Sequence, residues 1–386
     1  MTRQSPDTHQ RSEPDDGDVV LHIGYILCYR DPNYIRSVSL LRALEACPNV
    51  EVVVARNTSR GPWRYIETWR ALRRIRATNA PDIYILGFRG HEIFSPVYRM
   101  INGAPLVFDA LMSPFAALRE ERKAGLLGRL LAPLVYQFER RMLLRADLVL
   151  TDTRLHADFY ARTFALPETK VLALPVGAVE PDSNAVTSTL SERSPFSVLF
   201  YGSFLPLHGI EVIVAAAALL RDLPIHFNFI GGSARQAKRF YRQCEQLNVT
   251  RYTHRQWVPF EQILQEEIPN ADLCLGGPFA DTPQAKRVVT GKTSQCLALG
   301  KATVIGCINE DYGFVNQVNC LLIAQADANA LAAAIRWAFE HRASLPELGA
   351  RGRVLYLERL STRVITTRLA QALLRLTRSS TTHPTI

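Results

Sequence analysis

The chain has 386 residues, 47% of them hydrophobic and 21% charged, with a net charge of +9. This composition excludes an intrinsically disordered chain, and no stretch approaches the roughly 20 apolar residues of a membrane-spanning helix. The length suits two domains of ordinary size, and the positive charge favours an anionic partner such as a phosphorylated substrate, a phospholipid surface or a nucleic acid.

Residues 1–18 are polar and lack the apolar core of a signal peptide, so we predict a disordered tail and a cytoplasmic protein. An Asp-x-Asp pattern at Asp16 and Asp18 lies inside this tail and does not predict a metal site. The seven cysteines are scattered without a C-x-x-C pair, which favours apolar packing in a reducing compartment. We therefore expect no bound metal.

Residues 19–180 alternate short apolar runs with longer helical patterns, and we assign them to an N-terminal domain. Six runs rich in Val, Ile and Leu predict strands at 19–27, 50–55, 82–86, 105–109, 147–151 and 170–174. Helical periodicity between them is clearest at 35–46, 65–77 and 126–144. Near-continuous apolar strands separated by helices predict a parallel sheet covered on both faces.

Polar side chains follow several of these predicted strands, where the carboxyl ends of parallel strands meet at one edge. We expect this edge to hold an acceptor substrate through Tyr29, Arg30, Asn33, Arg89, His91 and Ser113. Asp109 ends the fourth strand and is the expected catalytic carboxylate at the rim of the cleft; a buried capping aspartate is the alternative. Asp152 follows the fifth strand in a predicted helix cap and is a weaker catalytic candidate.

Two helices of this half are basic and amphipathic. Segment 63–76 combines aromatic residues with five arginines, and segment 115–145 places further cations among leucines: Arg119, Arg122, Lys123, Arg129, Arg140, Arg141 and Arg145. Such helices can rest on anionic lipid headgroups, or they can be core helices with solvated outer faces. Nucleic-acid binding is not expected, because the chain has no groove-reading motif and no RNP-type sheet signature.

A polar segment at 181–195 predicts an interdomain linker, after which the alternating pattern restarts and defines a C-terminal domain over 196–358. Its predicted strands are 196–201, 225–230, 252–258, 272–275, 303–305 and 320–323. Its predicted helices are 209–221, 234–246, 261–267, 291–299 and 327–341, with two more between 345 and 376. The helix at 359–377 can pack back on the N-terminal domain, and 378–386 is a predicted disordered tail.

The loop after the first strand of the second domain is bounded by Gly202 and Gly209 and carries Ser203 and His208. Backbone N–H groups of such a turn can hold a phosphate, with His208 as an additional donor. The loop does not match the G-x-G-x-x-G dinucleotide fingerprint, so nicotinamide binding has little support. A simple strand-to-helix turn is the alternative.

A second candidate phosphate site lies at 281–299, between a predicted strand and helix. We expect Lys286, Arg287 and Lys292 to neutralise a diphosphate. The neutral side chains expected to bind the same ligand are Thr282, Thr293 and Gln295. A solvated helix start with ordinary surface cations is the alternative.

Further along the chain, the strand ending in Trp257 and Val258 offers backbone amides and an aromatic edge to a nucleobase. A tryptophan at this position can equally be a packing residue.

In their order and spacing these motifs resemble the retaining GT-B glycosyltransferases of the family 4-like group, over roughly residues 20–360. The resemblance implies two Rossmann-like doubly wound α/β domains facing across a cleft, with Lys292 on the donor diphosphate and the 202–209 loop closing over it. It also implies that Gly232 belongs to the donor-binding set. The chain departs from the family pattern at two places. Ser203 and His208 stand where many members carry arginine and lysine, and Arg287 and Gln295 stand where many carry paired glutamates.

The resemblance implies a metal-independent hexosyltransferase that needs no cofactor besides its nucleoside-diphosphate sugar. The sugar would pass with retention to a glycan or lipid-linked acceptor, in polysaccharide or glycolipid assembly, with Asp109 orienting that acceptor. The composition separately predicts a cytoplasmic protein, and the basic helices offer peripheral contact to an anionic membrane. Two alternatives stay open: a nucleotide-sugar epimerase of the same fold, and a catalytically degenerate protein that acts as a binding or scaffold partner.

Overall fold

A computed structural model describes residues 20–120, 125–181 and 195–381, with side chains to residue 378. The predicted tail at 1–18, most of the predicted linker, and Arg122 and Lys123 of the second basic helix lie outside the described residues. So does 382–386, the greater part of the predicted C-terminal tail.

The N-terminal domain is built on a six-stranded parallel sheet with strand order β2-β1-β3-β4-β5-β6. Its strands are β1 (Leu21–Leu27), β2 (Val50–Arg56), β3 (Ile83–Leu86), β4 (Leu106–Asp109), β5 (Leu148–Thr151) and β6 (Val171–Ala173). The connecting helices are α1 (Ile35–Glu45), α2 (Trp63–Thr78), α3 (Phe94–Met100), α4 (Pro114–Arg119), α5 (Gly125–Arg145) and α6 (Arg154–Phe164).

The C-terminal domain holds a second six-stranded parallel sheet with order β12-β11-β10-β7-β8-β9. Its strands are β7 (Phe196–Tyr201), β8 (Ile225–Ile230), β9 (Tyr252–Arg255), β10 (Leu273–Leu275), β11 (Thr303–Gly306) and β12 (Leu321–Ile323). Its helices are α7 (Ile210–Leu219), α8 (Ala234–Gln246), α9 (Phe260–Gln262), α10 (Ile268–Asn270), α11 (Gly291–Ala298), α12 (Ala328–Glu340), α13 (Leu345–Arg359) and α14 (Thr362–Thr381).

Helices cover both faces of the N-terminal sheet. One apolar core joins the sheet to α2, α3, α5 and α6, and the other joins it to α1 and α14. The last helix returns from the C-terminal domain because Ile365, Leu369 and Leu373 recur every four residues and form one buried stripe. Together with the second sheet, this arrangement confirms the predicted pair of doubly wound α/β domains.

Two predicted elements of the second domain differ from the observed ones. The strand expected at 252–258 ends at Arg255, because β9 is an edge strand and the last residue of its neighbour, Ile230, pairs with Arg255. The helix expected at 261–267 is the π-helical turn Ile263–Glu267 between α9 and α10. Among the described residues, no helix is both long enough and apolar enough to cross a membrane.

Candidate active site between the two domains

A cavity of about 220 Å³ lies between the two sheets. The N-terminal domain contributes Tyr34, Ile35, Leu111, Asp152 and Val176 to its wall. The C-terminal domain contributes Tyr201, Gly202, Ser203, Leu205, Leu207, His208, Phe260, Gln284, Val288, Val289, Thr290, Gly291, Lys292 and Gln295. Most of these residues follow the carboxyl ends of strands, which is where doubly wound sheets bind ligands.

Lys292 is the second residue of α11 and only 8% exposed. Thr290 caps this helix by accepting a hydrogen bond from the Thr293 amide, while its own hydroxyl donates to the Gly276 carbonyl at 2.7 Å. The ammonium nitrogen lies 5.4 Å from the centroid of the Phe200 ring. The cap therefore fixes the helix start that delivers Lys292 to the cavity.

No described carboxylate pairs with Lys292. Burial lowers the pKa of its ammonium group to about 7, because a charge held away from water lacks solvation. A buried cation without an internal counter-ion is a site that an anion would stabilise. The electrostatics thus favour a ligand with negative charge.

His208 lies beside Lys292. Its Nδ1 accepts from the Leu205 amide at 3.3 Å, so the neutral ring carries its proton on Nε2. Burial, and then the positive charge of Lys292, hold the pKa of His208 well below its usual range. The ring is therefore a neutral donor.

The loop that carries His208 lies between two glycines with positive φ, Gly202 at 149° and Gly209 at 65°. A Cβ atom at Gly202 would lie 3.5 Å from the Lys292 ammonium, and one at Gly209 would lie 2.8 Å from backbone atoms of Phe279 and Ala280. Both positions therefore require glycine, and the bare backbone at Gly202 leaves room for a ligand next to the lysine.

Other residues predicted to bind the donor lie elsewhere. Lys286 is largely exposed and pairs with Asp281, while Thr282 caps the turn that contains it by accepting from the Ala285 amide. Trp257 is 76% exposed, and Val258 packs in the small core beneath α9. The residues lining the cavity include none of these four.

Three further predicted donor residues are engaged in packing or internal bonds. The Thr293 hydroxyl donates to the Gly277 carbonyl at 3.2 Å. A Cβ atom at Gly232 would lie 2.7 Å from the Phe204 ring, so this glycine allows close packing. Gln295 bonds both the N–H and the carbonyl of Val179 at 2.9 Å, which ties α11 to the segment leaving β6.

Arg287, predicted to bind the diphosphate, instead joins the two domains. Its guanidinium pairs with Glu120 at the end of α4 and lies 3.8 Å from the centroid of the Phe159 ring. Its carbonyl accepts a hydrogen bond from Thr153. We call the Arg287–Glu120 contact, together with Glu310, the domain clasp.

Glu310 completes this clasp by capping α6 from the opposite domain. Its carboxylate accepts from the amides of Arg154 and Leu155 at 3.2 and 3.0 Å. The first amides of a helix have no partner within the helix, so a carboxylate there is stabilising. The sequence does not identify Glu120 or Glu310, because neither lies in a recognisable motif.

Asp109 does not lie on the rim of the cleft, contrary to the expectation from its position at a strand end. It is 0% exposed and forms a bidentate contact with Arg36, also 0% exposed, at 3.0 to 3.2 Å. Arg36 also donates to the carbonyls of Leu174 and Thr151. The pair thus ties α1 to the carboxyl ends of β4, β5 and β6.

Desolvation raises the pKa of Asp109, and Arg36 opposes that rise. Sequence reasoning missed Arg36. The available signal was an arginine in the first turn of the helix that follows β1.

The six residues predicted to contact the acceptor do not converge on the cavity. Arg30 and Asn33 are exposed, Arg89 pairs with Glu92 at 3.6 Å, and Tyr29 packs edge-on against Phe88. His91 and Ser113 instead meet at a buried carboxylate. The Ser113 hydroxyl donates to Glu139 at 3.0 Å, and Nε2 of His91 is 3.8 Å from the other oxygen.

Among the described residues that line the cavity, Asp152 is the only one with an acidic side chain. Its Oδ1 accepts from the Thr153 amide at 3.0 Å and lies 2.7 Å from Nδ1 of His156. These contacts hold the carboxylate at the start of α6, where it lines the same cavity as Lys292. Within the described part of the chain, no cluster of His, Cys, Asp and Glu could hold a metal ion.

Comparison with known proteins gives a likeness of fold and no match of sequence. No protein-family profile and no curated protein sequence matches the chain. The structure is similar to sucrose-phosphate synthase from Thermosynechococcus elongatus, with a TM-score of 0.70 and 16% identity over 93% of this chain and 100% of that one.

Two further solved structures show the same likeness. Anabaena HepE in complex with UDP and glucose has a TM-score of 0.67 and 13% identity, over 92% of this chain and 100% of that one. A glycosyltransferase from Rickettsia africae has a TM-score of 0.62 and 10% identity, over 92% and 98% of the two chains. At these identities the likeness concerns architecture, and the architecture of this chain is the two-domain GT-B fold.

Proposed function

We propose that the protein is a glycosyltransferase that moves a sugar from a nucleoside-diphosphate sugar to a glycan or lipid-linked acceptor, with retention of configuration. One observation carries the proposal: Lys292 is buried at the interdomain cavity and no described carboxylate neutralises it. A diphosphate would supply the missing negative charge.

Several donors surround the proposed diphosphate position. Lys292, His208 with its proton on Nε2, and the first residues of α11 all line the cavity. They would stabilise the negative charge that develops on a departing diphosphate, without reorganising as the reaction proceeds. This arrangement fits a leaving group better than it fits a neutral sugar.

In the proposed reaction, the bond between the anomeric carbon and the diphosphate oxygen breaks. The acceptor oxygen bonds to that carbon on the face the leaving group vacates, and the acceptor proton passes to the diphosphate oxygen. The retaining course is proposed from the resemblance of the motifs, and the proposed donor set requires neither a metal nor a cofactor.

Asp152 takes the role that sequence reasoning gave to Asp109. Asp109 is fully buried against Arg36 and cannot reach an acceptor, whereas Asp152 lines the cavity. We assign Asp152 to orienting the acceptor hydroxyl, held in place by Thr153 and His156.

Solved neighbours suggest which donor to test first. HepE has been crystallised with UDP-glucose, and TarM of S. aureus with UDP and a glycosylated glycerol. A uridine diphosphate sugar is therefore the first candidate, followed by the GDP, ADP and dTDP sugars.

Calorimetric titration with UDP tests the proposal, using Lys292→Met and the matched control Lys238→Met, an exposed lysine of α8. Loss of Lys292 should weaken UDP binding roughly 10- to 100-fold, equivalent to about 1.5–3 kcal/mol for a charge-assisted hydrogen bond. The control should bind like the wild type. Equal affinity of wild type and Lys292→Met for every nucleoside diphosphate tested would refute the proposal.

Product analysis then separates the alternatives. A transferase releases UDP in step with acceptor addition, whereas an epimerase converts the donor without an acceptor. A scaffold protein need not bind the donor at all.

A further inference from the structure

The outward face of α5 is apolar. Six large side chains on this helix are 42% to 74% exposed: Leu126, Leu127, Leu130, Leu131, Leu134 and Phe138. The opposite side of the helix, with Ala132, Glu139 and Leu143, is buried against the domain. The usual arrangement of a surface helix is therefore reversed over its first four turns, with leucines outside and a glutamate inside.

These exposed side chains form one continuous patch. Residues three and four apart are neighbours on a helix surface, and all six positions are linked by such spacings. Monomeric proteins rarely expose contiguous apolar patches beyond a few hundred Å² unless the patch binds something. Within the described part of the chain, nothing packs over this face. Its exposure therefore indicates an external partner.

Neighbouring helices extend the surface. Leu72 of α2, Val97 of α3 and Ala132 of α5 belong to one core, so the three helices cover the same side of the sheet. The outer sides of α2 and α3 expose further large apolar residues: Trp63, Ile66, Trp69 and Tyr98. Tryptophan and tyrosine favour the interface between a bilayer and water.

The charge of this helical layer is positive. Arginines occur along all four helices α2 to α5, at positions 64, 70, 73, 74, 76, 99, 119, 129, 140, 141 and 145. Arg141 and Arg145 lie one and two turns beyond Phe138 on the same face of α5. The basic groups are thus adjacent to the apolar patch and continuous with it.

The described glutamates in this layer are engaged inside the protein. Glu67 binds the Thr58–Ser59 loop, Glu92 pairs with Arg64, Glu120 with Arg287, and Glu139 accepts from Ser113. They leave most of the arginines without an acidic partner. The complementary surface must therefore be anionic as well as apolar.

We propose that this surface, the exposed face of α5 with its arginines, docks on an anionic lipid bilayer. A bilayer meets both requirements at once: lipid phosphates face the arginines, and the acyl boundary accepts the leucines and Phe138. The helix lies in the plane of the interface. A protein partner or a second copy of the chain would need an equally large, acidic and apolar counterpart.

In the sequence, the docked face of α5 follows shortly after residues that line the cleft. Leu111 lines the cavity, α4 follows it, and Glu120 at the end of α4 holds Arg287 of the opposite domain. The apolar face of α5 begins a few residues later. Docking would bring a lipid-linked acceptor to the acceptor side of the cavity; this last step rests on the proposed function, whereas docking itself does not.

Vesicle flotation of the full-length protein tests the docking, with phosphatidylcholine vesicles prepared with and without phosphatidylglycerol. Only the anionic vesicles should carry the protein, and added salt should weaken binding. Leu130→Ser/Leu134→Ser should reduce binding at least about tenfold, because it removes two leucine side chains from the acyl boundary. Arg141→Gln/Arg145→Gln should also reduce binding to the anionic vesicles.

The matched control is Leu219→Ser/Leu374→Ser, which alters two exposed leucines on α7 and α14, away from α5. It should bind as the wild type does. Thermal unfolding shows whether each variant is folded, and quenching of wild-type tryptophan fluorescence by brominated lipids gives a readout that needs no variant.

Three results would overturn the proposal. They are absence of binding to anionic vesicles, equal binding by the α5 leucine variant and the wild type, and a dimer in solution that the α5 variant dissociates. Because flotation uses no nucleotide and calorimetry with UDP uses no lipid, failure of docking and failure of the proposed function are distinguishable.

Discussion

Arg36 and Lys292 are both long cationic side chains buried at the carboxyl edge of a parallel sheet, and they differ in what surrounds them. Arg36 contacts the Asp109 carboxylate and three backbone carbonyls. Lys292 has a phenylalanine ring, a neutral histidine and a cavity beside it. The fold neutralises the first charge, whereas the second has no counter-ion among the described residues.

This difference explains why proximity to a strand end is a poor guide to function. A buried ion pair stabilises a fold only while both partners are present, so Asp109 and Arg36 act as one structural unit. A buried unpaired cation destabilises the free protein, and such groups are typical of functional sites. The presence or absence of a carboxylate partner therefore separates a structural buried cation from a candidate functional one.

Breaking the buried Arg36–Asp109 pair should change the free energy of unfolding more than any of the other substitutions. Asp109→Ala leaves the guanidinium of Arg36 buried without its carboxylate, which should lower the free energy of unfolding by about 3–5 kcal/mol. Urea denaturation measures the change. The double variant Arg36→Met/Asp109→Leu should recover most of the stability; a single-variant loss below about 1 kcal/mol would show that the pair is not structural.

The effect of Lys292 on the free energy of unfolding should depend on pH. Its pKa is about 7 in the folded state against 10.5 for an ordinary lysine, so between these values the unfolded chain binds a proton that the folded protein has lost. The free energy of unfolding of the wild type should therefore rise with pH in this window, relative to Lys292→Met, by at most about 1.4 kcal/mol per unit. Parallel urea titrations across the window measure the difference. A difference that is independent of pH would contradict an unpaired, buried Lys292.

A diphosphate should reverse this perturbation. Its negative charge favours the ammonium form of Lys292, so binding should take up roughly one proton at about pH 9, and affinity should fall as pH rises above the free-state pKa. Calorimetry in buffers of different ionisation enthalpy counts the protons. Uptake that persists in Lys292→Met would place the titrating group elsewhere.

Loss of the ion pair between Arg287 and Glu120, which lie in different domains, should change the free energy of unfolding least. Glu120→Gln removes a partly exposed ion pair, which should lower the free energy of unfolding by less than about 1 kcal/mol. The cavity, about 220 Å³, is smaller than the roughly 300–1,000 Å³ of common ligand pockets, so we expect the clasp to open when the proposed nucleotide sugar binds. Small-angle scattering should show a larger radius of gyration for the variant. An unchanged radius would mean that Glu120 and Arg287 do not hold the domains together.

Much of the architecture is encoded locally. Apolar runs of strand length separated by amphipathic helices predict two parallel sheets, and the sequence places the glycine-bounded loop at 202–209 and Lys292 in one predicted site. The structure places Gly202, Ser203, His208 and Lys292 around one cavity. Local patterns suffice here because the carboxyl ends of parallel strands meet at one edge whatever their side chains.

Side-chain partners are not encoded locally. Arg36 and Asp109 are 73 positions apart, and Arg287 and Glu120 are 167 apart, so no motif contains both members of either pair. Local residue patterns specify the two sheets, the edge where sheets of this kind hold ligands, and the cations at that edge. Which of these cations is neutralised follows from the folded arrangement, because the free energy of a buried charge depends on the groups that folding brings within a few ångströms of it.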